Sequence, residues 1–229
     1  MGSGELVSVI MAVRNSERFI AQAIESVISQ SYSDWEVVVV DGSSADRSAE
    51  IASAYPRVRC LSQDGRTGFA GAWNEGLAAA EGGLICFLDS DDVWEPSKLE
   101  RQVEVLRLRP EVDYVITLVR FLVEPGVPLP PGFKPELLES DHVANMPSAV
   151  MIRRVALDAV GPFRTDLEVA SDIDWFARLK DRPLTLATVP EVLVHKRVHD
   201  RNFSYTHARR LNGELLELLR SSVGRQRSA

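Results

Sequence analysis

Short apolar runs that end in acid constrain this chain more than any other feature. Residues 6–13 (LVSVIMAV), 35–40 (WEVVVV) and 84–88 (LICFL) are continuous, largely β-branched stretches bounded by turn residues. Unbroken hydrophobicity over such lengths marks strands covered on both faces. The second run ends at Asp41 and the third at Asp89-Ser90-Asp91-Asp92. Asp89 and Asp91 are one residue apart, so in an extended segment both side chains project to the same side. Three carboxylates in four residues repel one another unless a cation or solvent relieves them. The cluster suits a hard, oxygen-coordinated cation such as Mg²⁺ or Mn²⁺. A solvated loop capping the helix near Pro96 is the plainer alternative.

Helical patterns separate the runs. Phe19, Ile20, Ala23, Ile24, Val27 and Ile28 recur at helical spacing over 16–30, with Ser16 as the expected N-cap. Ser44 is the expected N-cap of a second helix carrying Ala49, Ile51, Ala52 and Ala54. Residues 58–61 read as a short third strand, 62–71 as a polar loop and 72–80 as a third helix. This alternation predicts an α/β protein with a mainly parallel central sheet, helices on both faces and right-handed crossovers. Ligands of such sheets bind beyond the C-terminal strand ends, where Asp41 and Asp89 fall. No Gly-x-Gly-x-x-Gly follows the first strand and no Walker A lysine loop is present, which disfavours a nicotinamide-binding Rossmann domain and a P-loop NTPase.

The second half is less regular. A helix from Pro96 to about Arg109 turns Leu99, Val103 and Leu106 inward, and 112–123 is β-rich. Residues 124–135 (EPGVPLPPGFKP) read as a loop bordering a binding cleft. A strand over 146–152 and a helix over 153–160 precede Ser171, the expected N-cap of a helix with Asp172 and Asp174 in its first turn. One or two strands occupy 184–194, followed by a mixed-charge cluster over 195–202. A last helix over 205–219 carries a Leu-rich face (Leu211, Leu215, Leu218, Leu219), and a frayed basic tail over 220–229 is expected.

Composition excludes several classes. A net charge of -7 gives no bulk attraction for nucleic acid. Cys60 and Cys86 lack metal-site spacing and read as buried core residues. Residues 1–5 carry no leader pattern, and no apolar run nears the roughly 20 residues needed to span a bilayer. The expectation is a cytoplasmic protein, with contact at the inner face of the membrane left open.

Six elements in order resemble the family 2 glycosyltransferases, inverting enzymes of GT-A (Rossmann-like) fold. They are Met11-Ala12-Val13-Arg14-Asn15, Asp41-Gly42-Ser43-Ser44, the Gly-rich 68–76 (GFAGAWNEG), Leu88-Asp89-Ser90-Asp91-Asp92, Ser171-Asp172, and Arg197-Val198-His199 with Asn202 and Ser204. The resemblance implies a single domain over 1–229, with a nucleotide-binding half over about 6–123, an acceptor half over about 124–204, and a helix and tail over 205–229. It implies a nucleoside diphosphate sugar donor, UDP- or dTDP-type favoured, and a saccharide, lipid-linked or peptide acceptor. Asp41 resembles the acceptor of the base N3–H, with Ala12, Val13, Asn15 and Asp64 nearby. Gly68, Asn74, Asp89, Ser90 and Arg197 are implied donor contacts. Asp91 is the implied ligand of Mn²⁺ or Mg²⁺, with His199 completing the shell. Asp172 is the implied general base, and spacing alone does not separate it from Asp174. Ser171 stands where the family carries Glu, and Trp73 where many members carry Arg. A non-catalytic nucleotide-sugar binding protein and a sugar nucleotidyltransferase are the alternatives; the latter would carry a Gly-rich basic loop after the first strand, where residues 11–16 have no glycine.

Overall fold

The computed structural model describes residues 5–226. Strand β1 (Val7–Val13) is buried along its whole length. Around it lie β2 (Trp35–Asp41), β3 (Val58–Ser62) and β4 (Leu84–Phe87), all parallel and in the order β3-β2-β1-β4. The chain therefore reverses its direction of winding between β1 and β4. Such a switch point opens a crevice at the carboxyl ends of the strands. The register sets Val13 beside Asp41, and Asp89 lies just past the end of β4.

The sheet continues through the second half. β8 (Val150–Arg153) pairs antiparallel with β4, and β6 (Tyr114–Val123) antiparallel with β8. β9 (Leu186–Val198) runs parallel to β6, and short β5 (Val93–Trp94) and β7 (His142–Val143) pair antiparallel with β9 and β6. A shift in register between Thr117 and Val119 bends the β6–β9 pair. One long strand, β9, occupies the stretch where one or two were expected over 184–194, and it extends four residues further to Val198. It carries Lys196 and Arg197 to the acidic crevice.

Alternation along β1 splits the apolar side chains between two cores. Val7, Val9, Met11 and Val13 face the helices α1 (Ile20–Ile28) and α4 (Lys98–Leu108). Ile10 and Ala12 face α3 (Gly68–Ala79), α5 (Arg154–Val160) and α6 (Ser171–Lys180). Helix α2 (Ser48–Ser53) packs beside β3, and α7 (Phe203–Thr206) leads into α8 (Ala208–Gln226). The crossing of α3 over β1 requires Gly76, because a Cβ there would meet Ile10 Cγ2 at 2.4 Å.

Three expected caps are corrected. Helix α1 begins at Ile20, and the Ser16 hydroxyl pairs with Ser90 Oγ at 2.6 Å instead. Helix α2 begins at Ser48, four residues beyond Ser44, whose Oγ accepts the Asn15 N–H. Ser171 lies inside α6, and Ala170 occupies its N-cap without a side-chain hydrogen bond. For Ser16 and Ser44 a tertiary partner outcompetes the local cap. Helix α3 begins at Gly68, inside the expected polar loop. Helix α8 stays helical to Gln226, so residues 220–226 are not frayed; 227–229, like 1–4, lie outside the described residues. Of its leucine face, Leu211, Leu215 and Leu218 are half-buried and Leu219 is exposed, while Glu214 beside them is buried.

Candidate active site

Two adjoining clefts open at the carboxyl edge of the sheet, sharing Arg14, Asn15, Phe69, Glu168 and Phe203 in their walls. The smaller, about 680 Å³, runs over Val13, Gly42, Gln63 and Gly68. The larger, about 720 Å³, holds Asp89, Ser90, Asp91, Asp172, Lys196 and His199. Volumes of this size suit a small ligand.

Asp41, at the end of β2, is buried next to Gly42 of the first cleft's wall and lines neither cleft itself. The Ser44 N–H donates to its Oδ2 at 3.0 Å, whereas its Oδ1 is buried without a hydrogen-bond partner. Gln63 Oε1 is also buried and unpartnered there, because its amide nitrogen is turned to Thr67 and Glu75. Buried acceptors left open in this way carry a desolvation cost that a donor group on a ligand would remove. The strand-end loops are held in left-handed conformations, Asn15 with φ 54° and Ser43 with φ 59°. Asn15 Oδ1 accepts the Ala45 N–H, and Ser43 Oγ donates to Gln63 O, so side chains offset that backbone strain.

The aspartate cluster is threaded by one cation of the chain's own. Ligand oxygens of Asp89, Asp91 and Asp92 all lie within 4.8 Å of one another. Lys196 Nζ donates to Asp89 Oδ2 at 2.9 Å and to Asp92 Oδ2 at 3.3 Å. Burial alone would depress the Lys196 ammonium, but the charges of Asp89, Asp92 and Asp91 outweigh it and hold the pKa well above the ordinary lysine value. Asp92 is fully buried and also accepts the Ser148 hydroxyl and the Arg197 N–H. Burial raises its carboxyl above the ordinary range, against the pull of Lys196.

Asp91 faces the other way. Its Oδ2 accepts His199 Nε2–H at 2.9 Å and Asn202 Nδ2–H at 3.1 Å. His199 Nδ1 accepts the Arg201 N–H, which fixes the tautomer with the proton on Nε2. Burial would raise the Asp91 carboxyl, but Lys196 and His199 overcome it and lower the pKa. Arg197 Nε donates to the Asp91 backbone carbonyl, Nη2 to Gln22 Oε1, and Nη1 pairs with Glu124. Its guanidinium is thus occupied by protein acceptors while its body lines the larger cleft. The Asp89–Asp92 oxygens are a hard donor set with charge beyond what one ammonium neutralises, and this fits a divalent cation.

Across the cleft, Asp172 sits in the first turn of α6. Burial, aided by the Asp89 charge, pushes its carboxyl up to about 6 against the opposing backbone N–H groups and Lys196. Asp174 accepts from Arg178 Nε at 2.8 Å, has Arg164 at 3.6 Å, and is absent from the walls of both clefts. The structure thus separates two acids that spacing left equivalent.

Other expected residues sit apart. Asn74 donates to Phe163 O and accepts Phe163 N–H, both at 2.9 Å, so its amide braces the α5–α6 connection outside the cleft walls. Asp64 is half exposed and closes a local turn on Arg66. The loop over 124–135 does not line either cleft; its Phe133 packs on Phe121 and Tyr205, which do line one. Lys196 and Ser148 were not singled out from the sequence, and neither was Glu214, whose carboxylate accepts the N–H groups of Glu168, Val169 and Ala170 ahead of α6. Only Lys196 carried a sequence signal, its place in the 195–202 polar cluster.

The family model described as glycosyl transferase family 2 matches residues 8–157. The chain belongs to glycosyl transferase family 2. Its family 2 relatives include the Escherichia coli UDP-Glc:alpha-D-GlcNAc-diphosphoundecaprenol beta-1,3-glucosyltransferase WfgD, 41% identical over 103 residues, covering 44% of this chain and 41% of that protein. The putative glycosyltransferase EpsE of Bacillus subtilis is 36% identical over 132 residues, covering 56% and 48%. The chain spans less than half the length of these curated relatives. Among solved structures, S. aureus TarS superposes with a TM-score of 0.71 at 22% identity, covering 83% of this chain and 60% of that one. The mannosyltransferase PcManGT from Pyrobaculum calidifontis, in complex with GDP-Man and Mn2+, gives 0.69 at 22% identity, covering 90% and 61%. These likenesses establish the GT-A fold expected for the family. No helix among the described residues is long and apolar enough to cross a membrane.

Proposed function

We propose that this chain transfers a sugar, with inversion, from a nucleoside diphosphate sugar to an acceptor hydroxyl in polysaccharide or glycoconjugate assembly. The observation that carries this reading is the placement of Asp172. Among the described residues it has no ion pair, and it lies in the wall of the cleft that also holds Asp89 and Asp91, while Asp174 is locked to Arg178. A carboxylate with a pKa of about 6 is largely ionised at neutral pH and basic enough to take a hydroxyl proton.

The chain's own groups divide the work. Asp41 Oδ1 accepts an N–H of the donor base; a carboxylate only accepts, which favours a uracil- or thymine-type N3–H over cytosine. Ala12, Val13, Asn15 and Gly68 form the walls around the nucleoside and ribose. Asp89, Ser90 and Asp91 face the diphosphate, with Asp91 aimed by His199 and Asn202. Arg197 positions Asp91 through its backbone carbonyl. Asp172 removes the acceptor proton as that oxygen attacks the anomeric carbon from the side opposite the diphosphate, so one displacement inverts the centre. Asp91, with Asp89 and His199 nearby, would hold Mn²⁺ or Mg²⁺, which would supply Lewis-acid stabilisation of the leaving diphosphate.

A thermal-shift panel of UDP-, dTDP- and GDP-sugars, each with Mn²⁺, Mg²⁺ or EDTA, tests the donor side. A ligand that binds only the folded state raises the melting temperature with occupancy. A cation-dependent rise with a UDP- or dTDP-sugar is expected. No rise with any donor would overturn the reading.

A further inference from the structure

Lys196 is anomalous for a cation-binding cluster. Its ammonium already occupies the space between Asp89 and Asp92, at 2.9 Å and 3.3 Å, and its side chain is only 21% exposed. It reaches this place because β9 continues to Val198 and pairs with β6 in a register that sets Lys196 beside Phe121. Asp92 is anchored from behind by Ser148 and the Arg197 N–H, so the lysine meets a fixed carboxylate rather than a mobile one. Asp91, by contrast, gives its Oδ2 to His199 and Asn202 and accepts nothing from Lys196. The cluster thus has one carboxylate turned away from the lysine and two tied to it.

We propose that Lys196 is an internal counter-cation that keeps free divalent cation out of the aspartate cluster, so that metal enters together with the donor diphosphate. The physical reason is charge. With all three carboxylates ionised, the cluster alone offers a cation three negative charges; with Lys196 among them it offers two, and the incoming ion must also meet a fixed positive charge. Diphosphate oxygens restore the missing negative charge and give the ammonium a second set of acceptors, since an ammonium has three donors. Free-cation affinity is therefore low and nucleotide strongly raises it, a reciprocal coupling of the two ligands. The same contact holds the cluster together without metal, because like charges this close otherwise repel. This inference rests on the donor and cation reading above.

The test is electron paramagnetic resonance titration of Mn²⁺, first alone and then with UDP, on the wild-type chain, Lys196→Met and Lys196→Gln. Removing a unit charge this close to the ion is expected to tighten binding of Mn²⁺ alone by at least roughly tenfold, while affinity in the presence of UDP changes less, so the coupling shrinks. Thermal melts give a second readout: Mn²⁺ alone stabilises both variants more than it stabilises the wild type, because the ion replaces the lost ammonium. Folded variants, checked by circular dichroism, whose affinity for Mn²⁺ alone is unchanged or weaker would overturn the inference while leaving the proposed function standing. If the wild type bound no Mn²⁺ even with UDP, UDP-dependent metal binding would fail, and the inference with it.

Discussion

Replacing Asp172 by Asn should abolish transfer and at the same time make the protein more stable. The carboxyl is raised from the ordinary 3.8 to about 6 by burial at the cleft wall. Its folded-state pKa thus exceeds its unfolded value, so the folded protein binds the proton more tightly than the unfolded chain does. Stability from this group is fully present below 3.8 and is lost as pH rises through about 6. Each pH unit of difference corresponds to about 1.36 kcal/mol, which sets an upper limit of roughly 3 kcal/mol. Solvent in the cleft reduces it to roughly 1–2 kcal/mol. Asn is neutral at every pH and close in shape to the protonated acid. Urea unfolding of the two proteins at pH 7.5 should therefore show the variant ahead by that amount, with the gap closing as pH falls from 6 towards 4. Such a gain in stability on removing a functional group is the usual trade-off at an active site. Equal stabilities at pH 7.5, or a gap that ignores pH, would refute the argument that the carboxyl is desolvated.

Three further outcomes follow from the geometry. Asp91→Ala should weaken Mn²⁺-dependent donor binding by at least roughly tenfold in calorimetry, because it removes the carboxylate oriented by His199 and Asn202. Gly76→Ala should destabilise the fold by about 1–3 kcal/mol in urea unfolding, since the added Cβ meets Ile10 Cγ2 at 2.4 Å in the core. Glu214→Ala should leave donor KM nearly unchanged and lower kcat, with a loss of about 2–3 kcal/mol of stability, as three N–H groups just ahead of α6 lose their charged acceptor.

The parallel half of the fold was legible because its signals are local. Continuous apolar runs gave β1, β2 and β4 within about one residue, and the acid at their ends marked the crevice. What failed was whatever a distant partner decides. Ser16 and Ser44 have the right chemistry for N-caps, yet Ser90 and Asn15 engage them. The same limit applies at the site. Sequence spacing left Asp172 and Asp174 equivalent; only the position of Arg178 one helical turn on, with Arg164 opposite, shows which acid is free. Asn74 sits in a motif-like stretch, but Phe163, distant in sequence, takes both ends of its amide. Lys196 lay in a cluster of mixed charge whose members could not be told apart until β9 fixed which of them enters the acidic crevice.

The most direct measurement is proton NMR of donor turnover, following the anomeric signal as an α-linked nucleotide sugar is hydrolysed slowly in water without acceptor. The wild type with Mn²⁺ should release the β-anomer first, with EDTA stopping the reaction and Asp172→Asn giving none despite binding the donor. First release of the α-anomer, or equal turnover by the Asp172→Asn protein, would contradict a single displacement driven by Asp172.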